Sequence, residues 1–343
     1  MRDLLPPARP ALVLAPMQDV TDLPFMRVIG RRSAPDWFVT EYFRVHPDSV
    51  AHAYILRSIT ENQTGKPIFA QMIGSDLPSL VRTAKQLAAL PVAGIDLNLG
   101  CPAPIVCRKN AGGGLLRQPD EIDRLVGALR DAIPGRFTVK TRVGYADGSG
   151  FPQLLEIFRR HGIDGLTVHG RTVKDFYQTA VRPDSVRMAV ETLPCPVIAN
   201  GNVVDVSTGL SYLAKTQASG LMIGRGAIRN PWLFSQLIAA FDGSRPPTPS
   251  HRDLLEYVIE LYDELARETR RFLPNAHVQR MKKTLAYISH GLLDGAFEHD
   301  MRRAKTPDDF FSICHRHLDH DASLPPLPPV GSKLFCGFEE LLR

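Results

Sequence analysis

The stretch PVIANGNVVDVSTGLSYLAKTQASGLMIGRGAIR, residues 196–229, holds two short apolar strands separated by one amphipathic helix. Both strands run into a glycine, Gly201 and Gly224, and helix-length sequence follows each. A strand, a helix and a strand in that order pair in parallel through a right-handed crossover. Read toward the N-terminus, the same unit recurs. Strands are predicted at 11–16, 37–40, 67–72, 94–100, 137–143, 165–170, 196–201 and 220–225. Helices are predicted near 22–32, 48–58, 77–90, 120–133, 151–161, 184–192, 206–217 and 230–241. Eight such units close a barrel. A doubly wound sheet would carry a GxGxxG turn after its first strand, where this chain has APMQDVTD. The nearly continuous apolar strand cores suit a sheet covered on both faces.

The expected fold class is therefore α/β: a (β/α)8 TIM barrel over residues 1–242, followed by a small all-helical C-terminal domain. DGSRPPTPSH supplies the linker at 243–250, and 251–320 reads as amphipathic helices without strands. Residues 321–343 form a Pro-rich tail, expected to be extended and poorly ordered. Apolar residues at 44% and charged residues at 22% belong to a globular protein with a large core. The first ten residues lack a signal-peptide core, and no run nears the roughly 20 apolar residues of a membrane span, so a cytoplasmic protein with no membrane partner is expected. Five cysteines at irregular spacing suggest neither disulfides nor a metal site. The net charge of +5 permits a polyanionic partner, and basic residues thicken between Arg267 and Arg316. Taken alone, that run reads as a solvated helical face in preference to a nucleic-acid surface.

A barrel of this kind assembles its site at the carboxyl ends of its strands. Those ends carry Pro16 and Met17, Thr40 and Glu41, Gln71, Asn98 with Cys101, Lys140 and Arg142, His169 and Arg171, Asn200 to Asn202, and Gly224 with Arg225. Glycines at the last two tips let backbone N–H groups approach a phosphate, as in a barrel that holds a flavin mononucleotide or a sugar phosphate. Lys140 points into the barrel, where an ammonium needs an anionic partner. Cys101 closes its strand rather than sitting inside it, and a thiol facing the mouth can donate a proton without an activating base. Cys107, Cys195, Cys314 and Cys336 have no such position.

LAPMQDVTD, VTEYFRV, FAQMIGSD, GIDLNLGCPAPIV with its following GGGLL, VKTRVG, TVHGRT, VIANGN and MIGRGA occur in order within residues 12–235. Together they resemble the tRNA dihydrouridine synthase family. HVQRMKKTLAYISHG, residues 277–291, is similar to the tRNA-binding C-terminal domain of the bacterial C-type branch, the tRNA-dihydrouridine(16) synthases. The resemblance implies reduction of the C5=C6 bond of a D-loop uridine, U16 in the C-type branch, with FMN as carrier and NADPH as reductant. By motif, Cys101 would protonate C5 and Asn98 would hold the uracil. Pro16, Met17 and Gln18 would flank the isoalloxazine; Gln71, Lys140 and His169 would contact its ring; Asn200, Gly201, Asn202, Gly224 and Arg225 would hold its phosphate side. Arg142 and Arg171 would reach the nucleotide or the flavin. Arg270, Arg271, Arg280, Lys282, Lys283, Arg302 and Arg303 would grip tRNA phosphates, offsetting the few kcal/mol that extracting a base costs. No metal is implied, and a monomer is preferred. The competing enzyme reading is an FMN barrel acting on a free pyrimidine or other small molecule, which needs no basic helical appendage.

Overall fold

The computed structural model describes residues 1–268 and 273–343. Its strands are β1 (Ala11–Leu14), β2 (Trp37–Val39), β3 (Phe43–Arg44), β4 (Ile68–Ile73), β5 (Gly94–Leu99), β6 (Phe137–Arg142), β7 (Gly165–His169), β8 (Val197–Asn200) and β9 (Gly220–Ile223). All pair in parallel, and β1 joins both β2 and β9, so the sheet closes on itself. The expected barrel is present. The difference from expectation is that its second stave comes in two pieces, because β2 and β3 both pair with β4. Between them the Thr40 hydroxyl accepts the Gln71 N–H at 3.0 Å, and the Glu41 carboxylate turns away to accept the Asp19 N–H. The side chains thus interrupt the ladder, and the interruption brings Tyr42 to the barrel mouth.

The helices begin where the residue chemistry directs. Asp22 and Asp76 cap the helices Leu23–Arg32 and Leu77–Ala88 through the amides of Phe25 and Ser79, each followed by proline in the first turn. Asp205 and Thr208 form a reciprocal cap on Val206–Thr216.

The barrel interior is layered. Ala11, Val13, Trp37, Val39, Phe69, Ile198 and Met222 fill its lower part, and Met1, Leu4 and Leu5 pack against them. Strand side chains alternate faces. Two residues beyond Phe69 and Ile198, the same face therefore presents Gln71 and Asn200, and Asp96, Asn98, Thr138 and His169 join them among the buried polar groups. The apolar plug is the floor; the polar layer above it is the base of the site.

The helices His251–Glu268, Pro274–Ile288, Ala296–Arg303 and Pro307–Leu318 follow the barrel. Leu254, Val258, Leu285 and Phe310 are buried in one hydrophobic cluster with the barrel's outer layer. Ion pairs reinforce that docking: Arg31 to Glu260 at 2.8 Å and Glu264 at 2.9 Å, and Arg27 to Glu268 at 3.2 Å. Among the described residues, no helix is long and apolar enough to cross a membrane.

The tail corrects the expectation of poor order. Phe335, Phe338 and Leu341 are buried, and the Arg229 guanidinium donates to the carbonyls of Pro325, Pro326 and Leu327. Proline sets an extended path there, while apolar side chains spaced three apart fasten it to the barrel.

Candidate active site

A cavity of about 560 Å³ opens at the carboxyl ends of the strands, within the range of small-molecule and cofactor sites. Pro16, Met17, Gln18, Asn98, Cys101, Lys140, Arg142, His169, Asn200, Gly201, Asn202, Gly224 and Arg225 all line it. Gln71, Arg171, Arg280, Lys282 and Lys283 do not.

Gln71 and Asn98 belong to one buried chain of hydrogen bonds. The Thr138 hydroxyl donates to Asp96 at 2.6 Å, and the Gln71 amide donates to the other Asp96 oxygen at 2.7 Å. The Asn98 amide donates to Gln71 Oε1 at 2.8 Å, and its own oxygen accepts the N–H groups of Gly100 and Cys101 at 3.0 and 2.9 Å. Four side chains on β4, β5 and β6 thereby fix the backbone that carries the thiol. Behind that loop the glycine run is required by contact: at Gly113 a Cβ would lie 2.8 Å from the Cys101 carbonyl oxygen, and Gly112 has φ +53°.

The cavity is also cationic. Lys140, Arg142 and Arg225 line the cavity, and Arg171 lies behind it. Burial first and the Arg142 charge next lower the Lys140 pKa to about 8, with Asp96 opposing both. Burial, then Arg225 and Arg142, bring Arg171 to about 9. His169 falls well below the usual histidine range, first through burial and then through Arg142 and Lys140, so its ring is neutral. Two buried polar atoms of cavity-lining residues have no partner among the described residues: His169 Nδ1 and Asn202 Nδ2. Buried groups left in this state require an account, and an acceptor-rich anion gives one. A flavin phosphate and ring carbonyls have that chemistry, so the residues present fit FMN.

Two arginines depart from expectation. The Arg142 guanidinium donates to the carbonyls of Gly100 at 2.9 Å and of Thr172 and Phe176 at 2.7 Å, so it holds loops while it lines the cavity. Phe176 has φ +50°, a costly conformation for a bulky residue that this clamp helps to hold. Arg171 donates to Thr179 O, Asn202 Oδ1 and Cys336 O, and does not reach the cavity. Full burial among carbonyls, rather than solvent at a strand tip, decided its role.

Arg280 is corrected as well. Its guanidinium donates to buried Asp22 at 3.0 Å and to the Tyr54 hydroxyl at 2.7 Å, an internal tie between the helical segment and the barrel. Lys282 donates to the Arg302 carbonyl, and Lys283 pairs with Asp19 at 2.9 Å at an exposed position. Arg302 pairs with Glu298, and Arg303 donates to the His299 carbonyl; both remain exposed. Arg270 and Arg271 lie outside the described residues.

Sequence reasoning missed Asp96, Thr138, Tyr42, Phe176, Tyr177, Tyr287 and Lys333 to Phe335. Asp96 was findable, since it precedes Asn98 by two on one strand. Burial and then Cys101 push the Tyr42 phenol up to about 12. Tyr177 lies under both Arg142 and Arg225, with centroid distances of 5.1 and 4.8 Å.

The family model described as Dihydrouridine synthase (Dus) matches residues 13–320. The "Probable tRNA-dihydrouridine synthase" of Rhodobacter capsulatus is 31% identical over 259 residues, 75% of this chain and 80% of that protein. The "tRNA-dihydrouridine(16) synthase" of Pasteurella multocida is 33% identical over 291 residues, covering 81% and 89%. The "tRNA-dihydrouridine synthase B" of Proteus vulgaris is 32% identical over 259 residues, covering 74% and 80%.

Proposed function

Since the chain belongs to the dihydrouridine synthase family, we propose that it is a flavin-dependent oxidoreductase that reduces the C5=C6 bond of a tRNA D-loop uridine, U16, in the cytoplasm. The observation that carries the reading is one cavity lined by Cys101 together with the cationic Lys140, Arg142 and Arg225 and the unpartnered polar atoms of His169 and Asn202. FMN, when bound, would supply the hydride equivalent for uracil C6, with NADPH as the reductant.

The chain's own residues do the rest. Lys140 and His169 hold the ring system, the ammonium matching anionic character and the neutral imidazole offering Nδ1. Asn202 and Arg225 hold the phosphate side, with Gly201 and Gly224 letting the backbone come close. Pro16, Met17 and Gln18 line the wall beside the ring. Cys101 transfers its Sγ proton to C5. Asn98 sets the thiol's position through the backbone, and Gln71 acts through Asn98 as a positioning residue. Residues 1–242 form the catalytic unit, and 251–320, joined through 243–250, present Lys282, Lys283, Arg302 and Arg303 to RNA phosphates.

The test is direct. The expected result is that purified protein is yellow with a flavin spectrum and that tRNA from cells lacking the protein loses dihydrouridine at position 16. A colourless protein that does not reconstitute with FMN overturns the cofactor, and loss at position 20 alone overturns the site. Turnover of a free pyrimidine without tRNA would favour the small-molecule reading.

A further inference from the structure

The C-terminal segment enters the site. Lys333, Leu334 and Phe335 line the same cavity as Cys101 and Lys140, although they lie beyond residue 320, where the family match ends. Arginines at the strand tips fasten the segment. Arg225 donates to the Leu334 carbonyl and Arg171 to the Cys336 carbonyl at 2.9 Å. Phe335 is buried, stacked on His290 with centroids 5.8 Å apart, and the Arg225 guanidinium lies 5.9 Å from its ring centroid. Gly337, at φ +72°, brings the backbone against Ala180, where a Cβ would lie 2.9 Å from Ala180 Cα. Ser211 donates to the Leu341 carbonyl and Lys215 to the Glu340 carbonyl at 3.1 Å, so the end is held on the helix after β8.

Among the described residues, Lys333 has no hydrogen-bond or ion-pair partner. The Lys333 side chain is exposed, at the rim where the tips of β8 and β9 meet the strap. Arg225 and Arg171 spend guanidinium donors on strap carbonyls, so they bring less to an anion than their charge suggests.

We propose that the segment 330–338 is a wall of the binding site and that Lys333 recognises a phosphate there. The inference rests on the functional reading above for the source of that phosphate, either the cofactor's or the RNA backbone's. A lysine binds phosphate as a compact point charge on a flexible stem, which suits a rim position.

The experiment uses full-length Lys333→Gln and Lys333→Glu proteins, whose exposed site leaves the fold intact. Apoprotein is titrated with FMN and with riboflavin by fluorescence, and holoenzyme with tRNA at several salt concentrations. A rise in the FMN Kd of about tenfold or more with riboflavin unchanged assigns the cofactor phosphate. Unchanged FMN binding with weaker tRNA binding and a salt slope reduced by about one assigns the RNA phosphate. No change in any of these overturns the proposal. Acetylation of Lys333, read by mass spectrometry, separates this inference from the functional one. Protection by inorganic phosphate supports the site even where FMN and tRNA do not bind, and equal labelling with and without phosphate, FMN or tRNA counts against it.

Discussion

Glu41 offers a prediction whose sign follows from its surroundings. The carboxyl is buried where the second stave breaks, close to Asp22 and Asp19, and it accepts the Asp19 N–H. Burial first and Asp22 next raise its pKa from 4.5 to about 7. A carboxyl raised in the folded chain contributes its full stability below pH 4.5 and loses it as pH climbs through 7. The difference of about 2.5 in pKa corresponds to about 3 kcal/mol lost at pH 8 and about 1 kcal/mol at pH 5. Glu41→Gln keeps the shape and an oxygen for the Asp19 amide but cannot ionise. Urea unfolding of both proteins at pH 5 and pH 8 tests this: the variant gains on the wild type by about 2 kcal/mol more at pH 8 than at pH 5. A difference between the proteins that stays constant with pH refutes the reasoning, because then Glu41 carries no charge penalty in the fold.

Cys101→Ala retains FMN and tRNA binding while turnover falls by about 10²- to 10⁴-fold, checked by single-turnover dihydrouridine formation; full activity removes the acid role. Gln71→Leu leaves the Asn98 amide without its partner, costing about 1–3 kcal/mol in denaturant unfolding and slowing turnover. Its FMN affinity stays at the wild-type value, and a large loss of flavin would restore a direct contact for Gln71. Arg280→Met exposes Asp22 to an unpaired burial. Unfolding titration should show a loss of about 2 kcal/mol, below that of a fully enclosed pair because Arg280 is partly exposed. The salt slope of tRNA binding stays the same, whereas a lower slope would return Arg280 to the RNA surface.

The barrel was legible because strand and helix periodicities recur along the chain. Thirteen expected residues line the cavity, since their place at a strand tip is a local property that the fold converts into a shared one. Partnership was the part that stayed hidden. Arg171 and Arg280 resemble ligand contacts in a string of letters, yet carbonyls of the tail and the buried Asp22 claim them, and those partners lie 165 and 258 residues away. Phe335 was hidden for the same reason, inside a proline-rich run whose composition speaks of an open chain. The break at Thr40 to Tyr42 depended on side chains replacing a backbone ladder, which strand patterning does not register.

The layered interior of the barrel has an evolutionary consequence. The residues that hold the cylinder shut and those that meet the ligand occupy different storeys, so selection can act on one with little interference from the other. Repacking Val13, Val39 or Ile198 with residues of similar volume trades only durability. Exchanging groups at the level of Gln71 and Asp96 changes what chemistry the same cylinder can host.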